Sequence, residues 1–187
     1  MVEKGTVAAI LEVAKAEVGT IEGPKDNETK YGAFTKANFL PWCGSYVMWC
    51  AAQAGVKVPN TVSTVAGAAA FKKMGTWFEA DCGQSPQPGD ILYFDFPGDG
   101  VDRISHVGIC KSIKSDGVVY AYEGNTSGKK KGSQRNGGEV CEQVRLADGD
   151  YGPATKKAVI AFQDNHDVVD SNGIIGPKTW AELVKFL

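Results

Sequence analysis

A chain of 187 residues, 43% apolar and with a formal net charge of −2, holds one ordinary domain, or one of about 140 residues with a small appendage. The near balance of charge excludes a dedicated nucleic-acid binder, whose phosphate contacts demand a basic excess, and no run is long and apolar enough to span a bilayer. An odd count of five cysteines, with no basic-then-apolar leader at Met1-Val2-Glu3-Lys4-Gly5, predicts reduced thiols rather than a disulfide framework.

In chain order, residues 6–18 read as an amphipathic helix, with Val7, Ile10, Leu11, Ala14 and Val18 on one stripe and Gly19 past its end. Residues 22–36 read as a polar connection containing Gly23-Pro24 and Asn27-Glu28-Thr29-Lys30-Tyr31-Gly32. A second helix begins at Cys43, directly after Pro41-Trp42, and ends at Gly55. Ser63 is placed to cap a third, alanine-rich helix that runs to Met74 and stops at Gly75. The texture then becomes extended. Gln87-Pro88-Gly89-Asp90 is a turn, residues 91–94 a buried strand, and residues 106–113 and 118–123 two more strands with Asp116-Gly117 as the hairpin signal between them. Residues 139–146 supply a fourth. Helices first and an antiparallel sheet afterwards predict an α+β domain over residues 1–146.

The remaining residues, 147–187, read as a separate small helical module. Gly149-Asp150-Tyr151-Gly152-Pro153-Ala154-Thr155 recurs as Gly173-Ile174-Ile175-Gly176-Pro177-Lys178-Thr179, and each copy leads into a helix, 158–163 and 180–186. Glycine permits the tight turn, and proline suits the first turn of the helix that follows.

Three places carry chemistry. Cys43 opens a helix, where the macrodipole and free N–H groups favour a thiolate, and Gly44 and Ser45 after it are small enough for a substrate backbone to come close. His106, in Ser105-His106-Val107-Gly108, starts a strand. Glu123 and Asn125, in Glu123-Gly124-Asn125, are two apart and so share a strand face. Each has a bland reading beside this one: a buried structural thiol, a packed histidine, a solvent-facing strand end. Together they form a nucleophile, a base and a group to orient the base, the set of a papain-like cysteine hydrolase. A two-residue Asp116-Gly117 turn would place Asn125 opposite Gly108 and Ser127 opposite His106, bringing Asn125 nearer the imidazole. A longer turn or a bulge would bring Glu123 there instead. Glu123 is the preferred orienter, because a carboxylate also stabilises an imidazolium. The Cys43 backbone N–H is a candidate oxyanion donor, with Asn38 upstream as a weak second.

Other residues are less informative. Cys50, Cys110 and Cys141 read as small buried hydrophobes, and Cys82 lies in a Gly/Asp-rich loop without an evident role. Asp26, Asn27 and Glu28 lack the alternating spacing of a calcium loop, and no metal or cofactor is expected. Lys129-Lys130-Lys131 with Arg135 form a basic, glycine-rich loop, by default a solvated surface.

At these residues a resemblance becomes specific. Residues 5–146 resemble a CHAP domain, the cysteine/histidine-dependent amidohydrolase/peptidase family, through Glu22-Gly23-Pro24 with Asn27, Lys30-Tyr31-Gly32, Trp42-Cys43-Gly44, Gln87-Pro88-Gly89-Asp90, Ser105-His106-Val107-Gly108 and Glu123-Gly124-Asn125. The resemblance implies a peptidoglycan hydrolase with Cys43 as nucleophile, His106 as general base and acid, Glu123 as orienter and Asn125 as an auxiliary polar group. It implies cleavage either of the N-acetylmuramoyl-L-alanine amide or of a peptide bond in the stem or cross-bridge. The tail resembles the small helical peptidoglycan-binding module through Gly152-Pro153-Ala154-Thr155, Ala158-Val159, Phe162-Gln163 and 173–180, but without that module's first helix. Such a pairing resembles a phage endolysin: a monomer made in the host cytoplasm without a signal peptide, acting on peptidoglycan after the membrane is permeabilised, with no nucleic acid and no membrane insertion. The alternatives are an NlpC-type peptidase, which commonly orients its base with a second histidine, and a non-catalytic wall-binding protein with a degenerate hydrolase domain. A zinc amidase fits worse, since His106 and His166 are the chain's two histidines.

Overall fold

The computed structural model describes residues 2–80, 82, 84–96, 103–114, 118–127 and 137–146, together with Gln163 and Lys185. The chain divides into two compact units, Met1–Ala147 and Asp148–Leu187. Within the second, Gln163 is helical and buried and Lys185 is exposed. The turn–helix repeat, the absent first helix and the basic loop of Lys129, Lys130, Lys131 and Arg135 lie outside the described residues.

The first unit runs α1 (Val7–Ala16), α2 (Lys30–Thr35), α3 (Cys43–Ala54), α4 (Thr64–Lys73), β1 (Ile91–Phe94), β2 (His106–Ile113), β3 (Val118–Thr126) and β4 (Glu139–Leu146). It is an α+β fold, with helices first and one antiparallel sheet in the order β1-β2-β3-β4. Local chemistry explains the helix starts. Thr6 caps α1 by accepting from the Ala9 N–H at 3.2 Å, and Ser63 caps α4 by accepting from Ala66 at 3.3 Å. The predicted stripe of α1 is narrower in the structure. Ile10 and Ala14 are buried, whereas Val7 and Val18 are exposed, since Val7 occupies the open first turn and Val18 lies beyond the helix end at Ala16.

One predicted connection is partly helical. Thr29 accepts from the Gly32 N–H at 2.9 Å and starts α2, which Lys36 ends in the left-handed region at φ 59°. Six residues are too few to show a hydrophobic period, so no sequence signal marked this turn. Its buried residue, Tyr31, stacks on Trp42 with ring centroids 5.3 Å apart and meets Tyr46 edge-on at 5.3 Å. Strand β1, predicted as buried, is half-buried along its length because it forms one edge of the sheet.

Helix α3 is the centre of the core. Cys43, Tyr46, Val47, Cys50, Ala51 and Ala54 are buried on it, packed with Ile10 and Ala14 of α1, Val107 and Ile109 of β2, Tyr122 of β3 and Val140 of β4. A helix apolar on most of its surface can only be stable enclosed in this way. Gly44 and Ser45, expected to clear space for substrate, serve packing instead. The Thr61 backbone lies against Gly44, with the Thr61 hydroxyl donating to the Gly44 carbonyl at 2.7 Å, and Ser45 shares a hydrogen bond with Thr35 at 2.8 Å. A Cβ on Gly44 would stand 1.9 Å from the Thr61 carbonyl oxygen.

Gly44→Ala should therefore displace the 61–62 segment or the start of α3. The expected cost is roughly 1–3 kcal/mol for overpacking a close contact, read as a lower midpoint in urea denaturation.

Candidate active site

Cys43 is the first residue of α3, buried, with Trp42 before it as the cap. Trp42 makes no side-chain cap. Its indole N–H instead donates to Glu22 at 3.3 Å, while its face lies on Tyr31. Glu22 also accepts from the Asn27 N–H at 3.2 Å, so the Glu22-Gly23-Pro24 turn braces the residue next to the thiol. Asn38 contributes elsewhere: its side-chain carbonyl accepts from the Thr29 N–H at 2.9 Å, at the start of α2.

His106 is the first residue of β2 and 2% exposed; Glu123, in β3, has no exposed surface. The imidazole Nε2 lies 2.8 Å from Glu123 Oε2, and the Cys43 thiol is near enough to the ring to push its pKa up. With Nε2 committed to Glu123, Nδ1 is the nitrogen left for the sulfur. Thiol, imidazole and carboxylate thus form one line across α3, β2 and β3. Glu123 occupies the place that a second histidine commonly takes in the NlpC alternative.

The register explains how Glu123 arrives there. The simple two-residue hairpin is not the observed pairing: Ile113 faces Val119, and a bulge between Cys110 and Ser112 shifts the ladder so that Ile109 faces Tyr122. A single inserted residue changes which side chain reaches a given point on the neighbouring strand. Alternation then sends Val107, Ile109 and Tyr122 into the core and leaves His106, Gly108 and Glu123 outside that cluster. The Glu123 side chain lies against Gly108, where a Cβ would stand 2.7 Å from Glu123 Cγ. The glycine after His106-Val107 is what lets the carboxylate pass.

Asn125 departs from the expectation of a regular strand position sharing Glu123's face. It is buried, with φ at 52°, where the β3–β4 pairing breaks register between Glu123 and Thr126. The left-handed backbone there disrupts the two-residue alternation on which the shared face was argued.

Three side chains that sequence reasoning did not select complete the surroundings. Arg145 of β4, itself largely buried, grips Glu123 with Nε 2.9 Å from Oε1 and Nη2 2.6 Å from Oε2. Phe94 and Phe96 stack on each other 5.6 Å apart. Both lie beside the His106 ring, at 6.0 and 5.7 Å. Alternation gave no signal for Arg145, since Val140 and Cys141, on opposite faces of β4, are both buried.

Electrostatics follow from this packing. Burial disfavours the imidazolium, but hydrogen bonds to Cys43 and Glu123, and the charges of both, outweigh it and push His106 up to about 9. The stability this adds is complete below the ordinary value of 6.5 and is lost as the pH rises through about 9. For Glu123, burial acts to raise the carboxyl, yet the hydrogen bonds and charges of His106 and Arg145 hold it below the usual carboxylate range. Its contribution is present above the ordinary value and is lost as the pH falls through the lowered one.

The remaining candidates are structural or unassigned. Asp26 accepts from the Asn27 side chain at 2.9 Å and Glu28 from the Lys25 N–H at 3.4 Å, so both carboxylates serve their own turn. Among the described residues no group of three or more His, Cys, Asp or Glu is placed to hold a metal, and no helix is long and apolar enough to cross a membrane. Cys50, Cys110 and Cys141 are buried free thiols, and Cys82 is an exposed one.

Comparison with known families agrees with this arrangement. Residues 35–125 match the CHAP domain family, a span that contains Cys43, His106, Glu123 and Asn125. Residues 137–183 match a peptidoglycan binding domain family, and that match begins within the segment that leads into β4. No curated protein and no solved structure matches the chain.

Gly108→Ala should move the Glu123 carboxylate off the imidazole. With two histidines in the chain, 15N-histidine NMR follows His106 directly, and its titration midpoint should drop below about 9 toward the ordinary value.

Proposed function

We propose that this chain, whose residues 35–125 match the CHAP domain family and residues 137–183 a peptidoglycan binding domain family, is a peptidoglycan hydrolase that cleaves an amide bond of the bacterial wall through Cys43, His106 and Glu123. The observation that carries this reading is the buried 2.8 Å pairing of the imidazole with the Glu123 carboxylate, with the Cys43 thiol beside the ring. In the proposed reaction the Cys43 proton passes to His106 Nδ1, and the sulfur attacks the carbonyl carbon of the scissile amide. The Cys43 backbone N–H, at the open end of α3, helps hold the oxyanion. Collapse of the tetrahedral intermediate breaks the C–N bond, and His106 gives its proton to the leaving amine. Water, deprotonated by the same imidazole, then hydrolyses the thioester and frees the thiol. Glu123 acts through His106, fixing the ring and balancing its charge. Asn125 is a positioning residue of the β3 bulge in this scheme.

The second domain directs the hydrolase to the wall, and the pairing supports an endolysin-like role. A non-catalytic wall-binding protein is the weaker reading. A buried carboxylate, imidazole and guanidinium are costly to keep in a fold that does not use them.

Cys43→Ala should abolish clearing of a suspension of cell walls while leaving the far-UV circular dichroism unchanged; undiminished clearing would end the proposal. Mass spectrometry of the released fragments identifies the bond. A new N-terminal L-alanine means the muramoyl amide, and a new terminus within the stem or cross-bridge means a peptide bond.

The rate should also fall on the alkaline side with a midpoint of about 9, as His106 loses the proton that the leaving amine needs. Glu123→Gln should move that limb to lower pH and slow turnover by about 10²–10⁴-fold, more than Asn125→Ala does. A pH–rate series on the three proteins checks both effects.

A further inference from the structure

We propose that Arg145 is a positioning residue of the hydrolase: its guanidinium fixes the Glu123 carboxylate and keeps it ionised, which makes β4 part of the active site. The inference rests on the reading of Cys43, His106 and Glu123 given above and adds to it a residue beyond the CHAP match, which ends at residue 125. Arg145 lies instead among residues 137–183, those matched to the peptidoglycan-binding domain. In the fold it belongs to the first unit, Met1–Ala147, in a strand paired along its length with β3.

Geometry gives the argument its weight. Both carboxylate oxygens are engaged by the guanidinium, at 2.9 Å and 2.6 Å, and Oε2 is also the oxygen that meets His106 at 2.8 Å. Two bonds from a rigid planar fork leave the carboxylate no freedom to rotate away from the imidazole. The guanidinium itself lies over the Phe96 and Phe94 rings, at 5.0 and 5.5 Å, the same pair that flanks His106. One aromatic wall thus sets the position of both cations.

Charge balance gives the second argument. Among the described residues, the ionisable groups around His106 are Cys43 from α3, Glu123 from β3 and, behind the carboxylate, Arg145 from β4. Phe94 of β1 and Phe96 after it are uncharged, and the Cys141 thiol opposite Glu123 is pushed up to about 12 by burial, and also by Glu139 and Glu123, so it stays neutral. The Glu123 carboxylate is therefore matched by the Arg145 guanidinium, which holds both of its oxygens. Without Arg145 the buried Glu123 carboxylate loses the cation bound to both of its oxygens. The His106–Glu123 pair must then hold its shared proton more tightly, whichever of the two carries it.

The test uses the full chain, labelled with 15N-histidine. In Arg145→Gln the titration midpoint of His106 should rise above about 9 by on the order of one unit, while kcat/KM on cell walls falls about 10–100-fold, the usual effect of losing an outer-shell partner. Arg145→Lys keeps the charge without the fork, so the midpoint should stay near the native one while kcat/KM still falls. A role confined to the fold predicts instead a lower melting temperature in both variants, with midpoint and kcat/KM of the folded protein unchanged, and that result overturns the proposal.

Should Arg145→Gln fail to fold, the double variant Glu123→Gln/Arg145→Met decides, because it removes both charges of the buried Glu123–Arg145 pair. Its kcat/KM should equal that of Glu123→Gln alone; a further loss would mean that Arg145 acts other than through Glu123. Full activity in Glu123→Gln itself would refute the Cys43–His106–Glu123 reading. Impaired Glu123→Gln beside a fully active Arg145→Gln would refute only the role of Arg145.

Discussion

A carboxylate with no exposed surface survives in a fold only where charge and hydrogen bonds replace the water it has lost, and Glu123 is such a group. Its partners come from two different strands, His106 at the start of β2 and Arg145 near the end of β4. Each must be in place for the other two to be tolerated. Breaking a buried pair by removing one member costs roughly 3–5 kcal/mol, so the sheet cannot rearrange at this point without a large penalty. The same constraint that holds β2, β3 and β4 together also fixes the imidazole.

The thiol reaches that imidazole from the helical side. Its position depends on how closely α3 can be set against the rest of the domain. Trp42 is held by Glu22 and Tyr31, Gly44 lies against the Thr61 backbone, and the body of α3 is enclosed by α1 and the sheet. These contacts belong to the core rather than to the reacting groups. A site built on such rigid elements places its atoms more closely than one carried on loops. The position of Cys43 is thereby tied to packing several residues away from it.

Much of this was legible beforehand. Alternation and turn residues located all four strands, and the cap residue Ser63 with the glycines Gly55 and Gly75 marked two of the helices, because these signals act over a few neighbouring residues. The thiol, the imidazole and the preferred carboxylate were likewise recognisable by residue type and local setting. Helix α2 escaped because six residues carry no period. The exposure of Val7 and Val18 escaped because a helical stripe does not reveal where the first and last turns stop being covered.

By itself, then, the sequence determined the α+β order of elements, the placing of a cysteine at a helix start and the selection of Cys43, His106, Glu123 and Asn125 as candidates, all of which rest on short-range backbone preferences and residue chemistry. Tertiary structure decided the rest. The bulge between Cys110 and Ser112 sets which β3 side chain meets His106, the left-handed Asn125 ends regular alternation, and the purposes of Gly44 and Gly108 are known only from what lies against them. Arg145 is the clearest case, since a guanidinium twenty-two residues beyond Glu123 in the chain becomes its partner only through strand pairing. Contacts between distant segments depend on register and close approach, and neither is written in the local pattern of residues.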